Sequence, residues 1–394
     1  ALRLADLTEH FWTGKNARGM RQFKSTYFSV NRIDDSPRRA CDTPMHVRAV
    51  QPVLLYWQRT GDPRLTTLFR EWMDTWVDAA ARAESGKPAG VIPAAIHWPE
   101  GTIGGLGETW WDPENHSADP LYVWPSAVNQ MLYALLQTYF MTGDATYLEP
   151  LKASARLRVD YLHRNPKEPV REGSALWCGE RFGGIKPVLA KYRQLTGDTS
   201  FDALLTAEAP PYAGFRLTGE RRELEWALRD TAEALRINFD GYTREVRYTD
   251  RVLRFPALFA SNGMFPDAIV TIRQPDTSLL YSSVTGDWGD ALYLPLNAVR
   301  WMTPSRDIAA LVTFASEDKF ESELFHFGEE VREFDAKLFL LKPGHYVKTL
   351  RDSSAEIDLE KEELSVSATP FVIRVGLPAR RLCRLSLHRV SEGN

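Results

Sequence analysis

Cysteine is scarce in this chain. Cys41, Cys178 and Cys383 are odd in number and far apart, which excludes a disulfide framework and the paired spacing of a zinc motif. Positive charge is not in excess: 48 Lys and Arg stand against 52 Asp and Glu, a net charge of −4, so no basic stripe points to nucleic acid. Long apolar runs are missing too. None approaches the ~20 residues needed to cross a bilayer, so no membrane partner is expected. Gly104-Gly105-Leu106-Gly107 follows no strand pattern and precedes no Lys-Ser/Thr, so it reads as a turn and not as a phosphate cradle. No cofactor is implied. His97, His116 and Asp112 are not at helical ligand spacing, and no metal is assigned. The chain begins at Ala1 with no initiator Met and no signal-peptide pattern, so the expectation is a processed chain. Its compartment stays open, with a secreted or periplasmic setting preferred.

Aromatic residues and one recurrent triplet are what the sequence does have. The 12 Trp and 14 Tyr matter because rings in loops make platforms for the apolar faces of sugars. The triplet occurs as Thr60-Gly61-Asp62, Thr142-Gly143-Asp144 and Thr196-Gly197-Asp198, each after an apolar helical pattern. Gly past a helix end adopts the left-handed cap, and the adjacent Asp caps the helix that follows. Repetition of that unit predicts stacked antiparallel helix pairs. The first pair is expected over Thr43–Trp57, kinked by Pro52, and over a partner with Leu65, Leu68, Phe69, Trp72, Trp76 and Val77 on one face. The second spans Tyr122–Met141 and Tyr147–His163, and a third starts near Cys178. Glu220–Ile237 is a further amphipathic helix behind Thr218-Gly219-Glu220, whereas Thr285-Gly286-Asp287 reads as a turn.

Beyond about residue 245 the pattern changes to strands: Ala309–Phe314, Glu323–Phe327, Ala336–Leu340, Tyr346–Leu350, Phe371–Val375 and Leu382–His388. The charge run Asp358–Glu363 reads as a solvated turn. Helices followed by strands predict an α+β multidomain chain, with a helical domain over 1–245 and an antiparallel β domain over 246–394.

The helix–Thr-Gly-Asp–helix spacing, with an aromatic-Leu-Glu after the acid as in Tyr147-Leu148-Glu149, resembles the (α/α)-toroid enzymes that act on carbohydrates. Glycoside hydrolases and polysaccharide lyases of that shape often carry a C-terminal β-sandwich. The resemblance implies an α/α toroid of antiparallel helix pairs followed by an antiparallel β-sandwich, and a carbohydrate substrate. It covers residues 40–240 and the β tail and matches no single family's catalytic motif. A complete toroid has more helix pairs than are visible, so the expectation includes an incomplete toroid, a missing N-terminal portion or a partner chain.

The chemistry is expected in the loop of residues 86–120, because long loops inside compact domains are usually functional or disordered, and this one is too aromatic for disorder. Trp98, Trp110, Trp111 and Trp124 are interleaved with Glu100, Glu108, Asp112, Glu114 and Asp119. Hydrolysis needs two carboxyl groups flanking the glycosidic bond, for which Glu100 or Glu108 with Asp112 or Glu114 are candidates. Elimination from a uronic acid needs a base and a group that neutralises the carboxylate, for which His97, His116, Tyr122 and Asn115 are candidates. Helix starts are expected to converge on the same mouth: His46 and Arg48, near Asp42, from the first pair, Tyr122 and Trp124 from the second, and Trp177, Glu180 and Arg181 from the third. The leading expectation is a glycoside hydrolase. A polysaccharide lyase and a non-catalytic glycan-binding or scaffold protein are the alternatives.

Overall fold

The computed structural model describes residues 1–104, 109–112, 124–125, 127–239, 275–289 and 292–390. Helices and antiparallel sheets are both present, with the sheets concentrated toward the C-terminus. The chain divides into two compact units, one comprising 1–204 and 292–294, the other 205–291 and 295–394. Among the described residues no helix is long and apolar enough to cross a membrane.

The first unit opens with helix α1 (Leu2–Leu7), a wider turn over Thr8–Trp12 and the hairpin β1 (Thr13–Lys15) and β2 (Arg21–Phe23). The short strand β3 (Cys41–Asp42) leads into α2 (His46–Thr60) and α3 (Pro63–Ala81), and its partner β4 (Ile96–His97) comes from the long loop. Then follow α4 (Val128–Thr142), α5 (Glu149–Arg164), α6 (Ala175–Arg181) and α7 (Lys186–Thr196). Apolar periodicity explains the packing. In α3 Leu65, Leu68, Phe69, Trp72, Met73 and Trp76 are buried along one face. In α4 every residue from Met131 to Thr138 is buried, because α2, α3 and α7 all pack on it. The Gln137 side chain donates to the Leu54 carbonyl at 2.6 Å, tying α4 to α2, and Asn129 donates to the Gly184 carbonyl at 2.7 Å, tying the start of α4 to the start of α7.

The triplets act through all three residues. Glycine takes φ of 65°, 75° and 72° at Gly61, Gly143 and Gly197. The threonine hydroxyl donates to the carbonyl four residues back at 2.7–2.9 Å and accepts the acid's N–H at 3.2–3.4 Å. Asp62, Asp144 and Asp198 then accept the N–H two residues on, at 2.9–3.0 Å, which starts the next turn.

The second unit holds α8 (Asp202–Glu208) from its fourth residue on, α9 (Pro211–Thr218), α10 (Arg222–Phe239) and α11 (Thr277–Thr285). Eight strands follow: β5 (Val299–Met302), β6 (Ile308–Ala315), β7 (Lys319–His326), β8 (Arg332–Leu338), β9 (Gly344–Asp352), β10 (Ile357–Val366), β11 (Phe371–Leu377) and β12 (Leu382–Arg389). They form a five-stranded sheet in the order β10-β9-β12-β7-β6 and a three-stranded sheet in the order β11-β8-β5, with every pairing antiparallel. Both sheets feed one core, with Phe320, Leu324, Tyr346, Leu350, Leu385 and Leu387 from the first and Phe334, Ala336, Ile373 and Val375 from the second. Alternation of buried and exposed residues along β7, β8, β11 and β12 follows from the two-residue period of a strand.

Two expectations change here. Asp358–Glu363 lies in the edge strand β10, not in a turn: Glu360 and Glu362 pair at 2.7 and 3.0 Å with the buried Lys348 of β9. Charge on an edge strand keeps it from pairing with another chain, so the charge run that looked like a turn is an edge device. Thr285-Gly286-Asp287 closes helix α11, which was not expected. No helix follows it among the described residues, and the Asp287 carboxylate instead accepts from the backbone of Gly289 at 3.1 Å and Leu296 at 2.7 Å.

Candidate functional site

The segment Val91–Trp98 organises the loop region. Read along the chain, its Ile92 carbonyl accepts from the Trp124 indole at 2.9 Å, Ala94 donates to the Trp110 carbonyl at 3.3 Å, and the Ala95 carbonyl accepts from Gly104 at 3.3 Å. Ile96 and His97 then pair with Asp42 and Cys41, and Trp98 donates to the Ala40 carbonyl at 2.9 Å. Gln22, fully buried, donates to the carbonyls of both Ile96 and His97 at 3.1 Å. One segment therefore carries the contacts of Trp110 and Trp124 at one end and of β3, which leads into α2, at the other.

At the α2 end sits a buried acid–imidazole pair. Asp42 is fully enclosed; one carboxylate oxygen accepts from the Phe23 N–H at 3.1 Å and the Trp72 indole at 2.8 Å, and the other lies 2.6 Å from His46 Nδ1. The Thr43 N–H also approaches Nδ1, at 3.1 Å. The carboxylate contact is shorter and charge-assisted, so we assign the proton to Nδ1, leaving the lone pair on Nε2. Phe23 stacks on the ring at 4.3 Å, and Nε2 is buried without a hydrogen-bond partner among the described residues. The pair therefore fixes the orientation of the imidazole ring. The i,i+4 spacing of Asp42 and His46 carried the hint; the enclosing Phe23, Trp72 and Gln22 had no local signal. Arg48, in the same first turn, is exposed.

At the other end four indoles form one cluster. Trp124 stacks on Trp177 at 5.1 Å, and Trp110 meets both edge-on, at 5.0 and 6.5 Å. These three are buried, at 5%, 5% and 1% exposure, and they fill the gap between the starts of α4 and α6. Trp111 is half-buried, packed on Trp110 and Trp177 at 5.4 Å, with Asp112 half-exposed beside it. Gly173 makes its seat: φ is +73°, and a Cβ there would collide with the Trp111 ring. Arg181 lies over Trp177 at 5.2 Å, and Glu180 accepts from the Tyr161 hydroxyl at 3.4 Å; both are exposed.

Between the two ends stands the turn His97–Gly101. His97 is half-buried with its Nε2 facing Gly104, where a Cβ would meet it at 3.4 Å. Trp98 packs its ring over Gly14, with the Lys24 ammonium 6.0 Å away, and Glu100 is exposed. Beneath the loop, Lys87 is buried and donates to the carbonyls of Ala80 and Pro88 at 2.8 and 2.9 Å. Burial pulls its ammonium down to about 7 and pushes the Cys178 thiol up to about 12. Glu108, Glu114, Asn115, His116 and Tyr122 lie outside the described residues. Among the described residues no three His, Cys, Asp or Glu side chains gather as a metal site.

No family model matches the chain, and no curated protein matches it. A solved structure of a Paenibacillus polymyxa xyloglucanase from glycoside hydrolase family 44 aligns over 97% of this chain and 77% of its own, at 10% identity and a TM-score of 0.16. A score that low carries no argument about fold or function.

Proposed function

We propose that the chain is a carbohydrate-active enzyme that cleaves glycosidic bonds, with hydrolysis the favoured reaction. The helix pairs form an α/α toroid, the paired sheets an attached β-sandwich, and the boundary near residue 245 separates the two in function. The observation that carries the reading is the seat of Trp111. A half-exposed indole braced by two buried ones and a glycine is held in a fixed orientation, and the carboxylate of Asp112 follows it directly. A pyranose stacks its apolar C–H face on such a ring, which leaves its polar edge to carboxylates. In this reading Asp112 and one of Glu108 or Glu114 supply the two carboxyl groups that hydrolysis needs. Trp98, Arg48, Glu180 and Arg181 line the approach, and Trp110, Trp124 and Trp177 position the platform from below.

One observation favours a second reaction. His97 is half-buried in the loop between the acid–imidazole pair and the tryptophan cluster, and β-elimination from a uronic acid requires such a base. His97 would then take the C5 proton, with Asn115, His116 and Tyr122 as the neutralising and acid groups. Product chemistry decides between the two on a panel of neutral and uronic-acid polysaccharides. Reducing ends without ultraviolet absorbance at the unsaturated product's band support hydrolysis, and reducing ends with it support elimination. No product from any polymer in the panel overturns the enzymatic reading.

A further inference from the structure

The second unit carries a polar cleft of about 880 Å³ between the end of α8, α9 and the first turns of α10. Its most unusual feature is Trp226, which is 70% exposed. Among the described large hydrophobic residues it is the most exposed, while α10 buries Leu224 and Ala234 on its other face. Arg222, Trp226 and Arg229 follow the i, i+4, i+7 spacing, so two guanidinium groups flank the ring along one stripe of α10. Glu220 and Glu223 line the same cleft. Among the described residues the side chains of Arg222, Glu223, Trp226 and Arg229 make no hydrogen bond or ion pair with one another or with the rest of the unit. Elsewhere in the unit charges are engaged: Arg221, next in sequence, pairs with Glu323 at 2.6 Å.

We propose that this cleft binds a neutral saccharide, with one pyranose ring lying on Trp226. The ring's apolar face covers the indole, its hydroxyls donate to Glu220 and Glu223, and its oxygens accept from Arg222 and Arg229. Carboxylates and guanidinium groups in near balance suit a ligand that both donates and accepts. They suit an anion or a cation less, because one half of the set would repel it. The saccharide class rests on the reading of the chain as carbohydrate-active, but the cleft shares no residue with the site in the first unit. It would hold a polymer without acting on it.

The test is electrophoresis of the intact protein through native gels containing single polysaccharides, neutral (β-glucan, galactomannan, xylan) or acidic (pectate, alginate). Wild-type protein, Trp226→Ala, the pair Arg222→Gln with Glu223→Gln, and Asp112→Asn are compared. At least one neutral polymer should retard the wild type and Asp112→Asn alike. Trp226→Ala should weaken that retardation about tenfold, as loss of one stacked ring predicts. The double variant should weaken it too, and neither Trp226→Ala nor the double variant should alter the thermal midpoint, because Arg222, Glu223 and Trp226 are exposed. Retardation of Trp226→Ala equal to wild type overturns the proposal. So does a wild type retarded by no polymer, or by the acidic ones alone. Turnover is read separately: product without retardation sinks only this cleft, and retardation without product sinks only the enzymatic reading.

Discussion

Replacing Asp42 tests whether the buried acid–imidazole pair is the organiser of the loop region. The carboxylate satisfies three groups in a site closed to water: the Phe23 N–H, the Trp72 indole N–H and His46. In Asp42→Ala all three lose their acceptor. A buried group left unsatisfied costs ~1–3 kcal/mol, and neighbouring losses do not add in full, so the variant should lose about 3–6 kcal/mol. That is a large share of the ~5–15 kcal/mol that holds a domain folded. Asp42→Asn behaves differently. Its amide oxygen can still accept from Phe23 and Trp72, while its NH2 meets Nδ1 and forces the His46 proton onto Nε2. The stability loss should then be about 1–2 kcal/mol, that of charge assistance, but the lone pair on Nε2 disappears. Urea unfolding at neutral pH, followed by tryptophan fluorescence, gives both midpoints. An alanine variant within about 1 kcal/mol of wild type refutes the reasoning. Equal losses in the two variants refute the account of the tautomer.

Two more outcomes follow. Lys87 has a folded value near 7 against an ordinary 10.5, so the unfolded chain binds more protons between those limits and stability should rise with pH from about 7. Above about 9 the Cys178 thiol, held neutral in the fold, works in the opposite direction. Wild type minus Lys87→Met should therefore show an upward slope of at most ~1.4 kcal/mol per pH unit over pH 7–9, measured by urea titration; a flat difference rules this out. Gly173→Ala combines a left-handed backbone with a Cβ pressed into Trp111. It should cost about 1–3 kcal/mol and displace the indole, visible as a changed near-ultraviolet circular dichroism spectrum; an unchanged spectrum counts against the seat.

The helical part was legible because its signals are local. A triplet fixes both the end of one helix and the start of the next, and the faces of α3 and α10 repeat at helical spacing, so Leu65 to Trp76 could be placed without coordinates. Strands with one buried face were legible for the same reason. The edge strand β10 was not, since both of its faces meet solvent and its alternation is lost. At the candidate site the sequence showed the tryptophans and acids but not which rings are covered. Trp110 and Trp111 are adjacent in sequence, yet only contacts from Trp124, Trp177 and Gly173 decide that one is buried and the other half-exposed. Asp42 was visible beside His46, but its enclosure depends on Phe23, Trp72 and Gln22, all distant along the chain.

The central claim is that Trp111 and Asp112 divide binding and chemistry between them on a glycan. Steady-state kinetics of Trp111→Ala and Asp112→Asn on the polymer that wild type degrades measures this directly. Loss of the platform should raise KM about tenfold or more with a smaller change in kcat, and loss of the carboxyl group should lower kcat at least ~100-fold with KM little changed. An Asp112→Asn enzyme that retains wild-type kcat, or a Trp111→Ala enzyme with unaltered KM, contradicts the account.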